Sequence, residues 1–65
     1  MLTYESRTAA YNEASELLKA RPNLLPGWFI CKRKDGSFVL WPMSFGRQSA
    51  SFIPTSYKIV DEVFV

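Results

Sequence analysis

The chain has 65 residues, 48% of them hydrophobic and 15% aromatic, with a net charge of +2. That length suits one domain, and the composition excludes a disordered chain. One cysteine, Cys31, and no histidine rule out an internal disulfide and leave too few ligands for a structural zinc, so dense aromatic packing or a second chain must supply stability.

Charge is unevenly spread. Arg7 against Glu5, Glu13 and Glu16 leaves residues 1–18 at −2. Lys19, Arg21, Lys32, Arg33, Lys34 and Arg47 against Asp35 put residues 19–47 at +5. Lys58 against Asp61 and Glu62 puts residues 48–65 at −1. A basic middle between acidic ends can steer an acidic partner.

The first element is an amphipathic helix near residues 4–20. Thr3 is the expected N-cap, with Glu5 in the first turn. Tyr4, Thr8, Tyr11, Ala14 and Leu18 recur at helical spacing, and Ala10 and Leu17 widen that stripe. Pro22 stops the helix near Ala20. The connector Pro22-Asn23-Leu24-Leu25-Pro26-Gly27 is too apolar for an interdomain linker, and Leu24 and Leu25 are expected to tuck under the sheet.

The stretch from Trp28 to Pro42 organises the rest. Two runs rich in aromatic and β-branched residues flank Asp35-Gly36, which is a strong hairpin signal. A two-residue turn would set Cys31 opposite Leu40, whereas a three-residue loop with Gly36 left-handed would set Cys31 opposite Val39. Both readings give strands near 28–34 and 37–42, with Phe29 and Cys31 on one face and Trp28 and Ile30 on the other. One helix covers one face. The second needs the C-terminal third of the chain, or stays open to a partner.

Residues 42–51 read as loop, with Ser44 or Ser49 able to start a short helical turn. The final segment, near 57–64, reads as a strand with Tyr57, Ile59, Val63 and Val65 alternating on one side, although Tyr57, Val60 and Phe64 also fit helical spacing. The three glycines, Gly27, Gly36 and Gly46, read as isolated turn positions. The fold class is therefore α+β: one domain over residues 1–65, with the helix laid on a three-stranded, mostly antiparallel sheet.

The residues offer little for catalysis. There is no histidine to act as a base and no glycine-rich phosphate loop. Cys31 lacks an evident base and fits a small buried hydrophobe. The expectation is a protein that is not an enzyme, with no cofactor, no metal and no small-molecule substrate. No stretch reaches the roughly 18 apolar residues of a membrane span. With no secretory signal read in the first residues and one unpaired thiol, a reducing cytoplasm is expected.

Two features point to binding. Lys32, Arg33 and Lys34 at the hairpin tip can neutralise phosphates, with Arg47 and Lys19 or Arg21 able to extend the patch. Trp28, Trp41 and Phe45, with Phe29, Phe38 and Phe52, either fill the core of so small a domain or, where exposed, anchor a protein interface or stack on bases. The favoured function is a binding module working through contacts with a protein partner or a second copy. Nucleic-acid binding through Lys32, Arg33 and Lys34 is the alternative.

Overall fold

A computed structural model describes residues 2–21, 23 and 26–64 of the chain. The elements run β1 (Thr3–Tyr4), α1 (Arg7–Ala20), β2 (Gly27–Lys32), β3 (Phe38–Pro42), β4 (Ser44–Arg47), a 3-10 helix (Gln48–Phe52) and β5 (Lys58–Phe64). Four strands form an antiparallel sheet in the order β1-β3-β2-β5. The α+β class and the last strand match expectation. The expected three strands become four in the sheet, because Thr3 and Tyr4 pair with Val39 and Phe38.

That pairing also moves the start of the helix. Ser6, not Thr3, is the N-cap: its backbone is extended, and its hydroxyl accepts from the Ala9 N–H at 3.1 Å. No acidic residue lies in the first turn, so Glu5 does not take the place expected for it. The helix ends at Ala20, where the Arg21 N–H still reaches the Leu17 carbonyl. Its buried face is Ala10, Ala14 and Leu18, spaced four apart, while Thr8, Tyr11 and Leu17 stay exposed. Two alanines on that face let the helix axis sit close to the sheet. The expected packing of Leu24 and Leu25 lies outside the described residues.

The hairpin takes the three-residue loop. Cys31 faces Val39 and Lys32 faces Phe38. The Arg33 N–H bonds the Ser37 carbonyl at 2.8 Å, and the Gly36 N–H bonds the Arg33 carbonyl at 3.1 Å. Gly36 sits at φ +90, the left-handed region that a residue with a Cβ adopts only under strain. Asp35 closes the turn by accepting from the Ser37 hydroxyl at 2.6 Å and the Ser37 N–H at 2.9 Å. These bonds, the hydroxyl first, and then the Arg33 charge hold its carboxyl below the usual carboxylate range.

Two apolar cores lie on the two sheet faces. On the helix side Ala10, Ala14, Leu18, Ile30 and Val63 are buried, with Tyr4, Trp28, Phe38, Leu40 and Val60 packed against them. On the other side are Phe29, Cys31, Val39, Met43 and Ile53, flanked by Trp41, Ala50 and Tyr57. The C-terminal third thus covers the second face, as the two-sided hairpin required. Part of that cover is β4, in a stretch the sequence reads as loop, and part is the 3-10 helix, the short helical turn expected around Ser49.

A bulge in β5 adjusts its faces. Ile30 pairs with Asp61 and Cys31 pairs with Ile59, so Val60 is an extra residue against β2. Val60 and Val63 then join the helix-side core, and Ile59 falls on the opposite face. The expected alternation of Ile59 with Val63 is broken for that reason. Asp61 meets Arg7 of the helix, at 3.1 Å. Its carboxyl is held low by the Glu62 N–H first and by Arg7 second.

Candidate functional site

The expected site residues separate into three regions. At one end of the sheet, β4 carries Phe45 and Arg47. The Phe45 ring lies 5.9 Å from Phe52, and the Arg47 guanidinium lies 5.1 Å from the centre of Phe64 and 3.9 Å from the Glu62 carboxylate. Phe45, Phe52 and Phe64 are 69%, 64% and 53% exposed. None of the three belongs to either buried core. Arg47 was expected to extend the basic hairpin patch, but it sits with the phenylalanines instead.

Two contacts hold this end in shape. The buried Ser49 hydroxyl accepts from the Phe45 N–H at 2.8 Å, fixing β4 against the 3-10 helix. Gly27 begins β2 opposite Phe64 and is no turn residue. A Cβ there would run into the Val63 carbonyl oxygen and stand 2.7 Å from the Phe64 Cβ, so only glycine lets β5 come this close.

At the opposite end of the sheet, the hairpin tip presents Lys32, Arg33 and Lys34. Lys32 and Lys34 are exposed, and Arg33 is half-buried. The register sets Lys58 of β5 directly across from Lys32. Beside the tip, Arg33, Lys34, Asp35, Ser56 and Tyr57 line an open cleft of about 270 Å³. Lys19 lies on the helix within 3.8 Å of Glu16.

The two tryptophans point to opposite faces. Trp28 packs on the helix-side core and lines an apolar groove of about 180 Å³ with Leu2, Tyr4, Leu17 and Leu40. Trp41 packs on the other core and meets Tyr57 edge-on at 5.8 Å. Both are half-buried, as are Phe38 and the edge of the helix-side core, whereas Phe29 is fully inside. Sequence reasoning passed over Phe64 and Lys58. In the alternating pattern Phe64 falls on the side of Lys58, Val60 and Glu62, with no signal of its own, and Lys58 gains a meaning only from its place across from Lys32.

Cys31 is completely buried in the second core. Burial pushes its thiol up to about 11, so at neutral pH the sulfur is a protonated apolar group. Among the described residues, no three of the His, Cys, Asp and Glu side chains gather as metal ligands, and no helix is long and apolar enough to cross a membrane. No protein-family model matches the chain, and neither the curated proteins nor the solved structures gave a match.

Proposed function

We propose that this protein is a small non-enzymatic binding module acting through protein–protein contacts, and that its phenylalanine end pairs with a second copy of the chain. The observation that carries this reading is the exposure of Phe45, Phe52 and Phe64 together at one end. Scattered exposed apolar residues are ordinary, but grouped aromatic rings mark contact surfaces. Both cores are closed without these rings. Their exposed fractions leave roughly 350–400 Å² of phenylalanine surface in water, taking about 200 Å² for each residue.

A second copy fits because the patch carries both charge signs at its rim. Arg47 and Glu62 are 3.9 Å apart, Arg47 exposed and Glu62 half-buried, so a two-fold axis can set each Arg47 beside the Glu62 of the other copy. Two such patches bury about 700–800 Å² in all, small beside the roughly 1,200 Å² total of a stable interface. The association is therefore weak and concentration-dependent. Isotope-filtered NMR on a mixture of labelled and unlabelled protein tests it. Intermolecular contacts at the Phe45, Phe52 and Phe64 rings are expected at high concentration. Contacts confined to other surfaces, or none, overturn the assignment.

A further inference from the structure

We infer that the hairpin end, completed by Lys58, is a separate binding site for the phosphate backbone of nucleic acid. Lys32, Arg33 and Lys34 are consecutive, but the fourth cation comes from β5, whose register lays Lys58 against Lys32. Directly opposed residues of an antiparallel pair share a face with their Cβ atoms roughly 5 Å apart, and like charges there are destabilising. Among the described residues, none of the four has a carboxylate within salt-bridge distance; the ion pairs are Arg7–Asp61, Lys19–Glu16 and Arg47–Glu62. The fold thus holds an unfavourable charge pair that it does not neutralise. A bound polyanion would neutralise it.

The surroundings fit a phosphate chain. Asp35 is the one carboxylate of the tip, and its Oδ1 is taken up by both the N–H and the hydroxyl of Ser37. Ser56 and Tyr57 line a cleft with Arg33, Lys34 and Asp35 on the second-core face, so the cations flank the tip on both faces, with Lys32 and Lys58 on the helix side. Serine and tyrosine hydroxyls, like arginine and lysine, are common donors to phosphate oxygens. A lipid surface is a poorer match, because membrane-bound basic patches gain from apolar side chains beside them. Beside Lys58 the exposed large apolar side chain is Ile59, whereas Phe64 lies at the far end of β5, six residues or roughly 20 Å away.

This site is independent of the phenylalanine end, so either assignment can fail alone. The experiment is fluorescence anisotropy with a labelled short DNA duplex and a single strand of the same length, titrated with the full chain across a salt series. Four phosphate contacts on the duplex give a log–log salt slope of about −3.6. Lys58→Gln and Lys32→Gln should each bring it to about −2.7, from about 0.9 per contact. Relief of the like-charge pair should leave the melting temperature of each variant equal to or above that of the wild type. Loss of affinity in a chain that is no less stable is the signature of the site. Three results overturn the proposal. These are no binding to either probe at about 20 mM salt, where the electrostatic contribution is large; a salt slope unchanged by Lys58→Gln; and binding only to phosphatidylserine vesicles run in parallel.

Discussion

The Phe45 amide donates to the buried Ser49 hydroxyl at 2.8 Å, and that one bond ties the most exposed phenylalanine to the covering layer of the second core. Donor and acceptor lie four positions apart in sequence, so a small change at Ser49 acts directly on the proposed contact surface. Ser49→Ala leaves the amide unpartnered in a part-buried place and should cost about 1–2 kcal/mol. Urea unfolding checks the stability. The same variant should associate more weakly, since β4 is no longer held.

Gly36→Val tests the turn. Gly36 lies at φ +90 with nothing near its Cβ position, so the cost comes from the backbone alone. It should be about 1–2 kcal/mol. A urea midpoint equal to that of the wild type would show that the loop relaxes freely, against the hydrogen-bonded closure of Arg33 with Ser37 and Gly36.

Gly27→Ala tests the close approach of β2 and β5. The added methyl meets the Val63 carbonyl and the Phe64 backbone, so the end of β5 must shift. Overpacking of this kind costs about 1–3 kcal/mol. Thermal unfolding gives the magnitude. The Phe64 ring resonances should move more than those of Phe38, which lies near the other end of the sheet.

Stability should fall at alkaline pH through Cys31. Its folded pKa is raised to about 11 by burial, above the ordinary thiol value near 9. Unfolding lets the thiol ionise first, so the contribution is complete below about pH 9 and is lost progressively up to about 11. A shift of about two pH units corresponds to roughly 2–3 kcal/mol. Tyr4, raised by burial and then by the Glu13 charge, adds to the loss above pH 10. Cys31→Ala should flatten the pH 9–10 part of the melting-temperature profile and leave the Tyr4 part in place.

The hairpin was legible because Asp35-Gly36 and the flanking aromatic runs are local signals. The register was not, since both turn types require a left-handed Gly36 and only the pairing of Cys31 with Val39 separates them. β1 escaped notice because two residues carry no period, and Thr3 and Ser6 are equally good caps until Thr3 is taken by Val39. The Val60 bulge is invisible in an alternating pattern, and it sends Ile59 and Val63 to opposite faces. Both proposed surfaces depend on such long-range placement. Lys58 reaches Lys32, and Arg47 reaches Phe64, across strands distant in sequence.

Sedimentation equilibrium over a wide concentration range, on the wild type and on Phe45→Ser/Phe52→Ser, tests the central claim most directly. Neither ring belongs to a buried core, so the variant should fold as the wild type does. The account predicts that the wild type passes from monomer to dimer as concentration rises and that the variant remains monomeric throughout. A wild type that is monomeric at every concentration, or a variant that dimerises as readily, would contradict it.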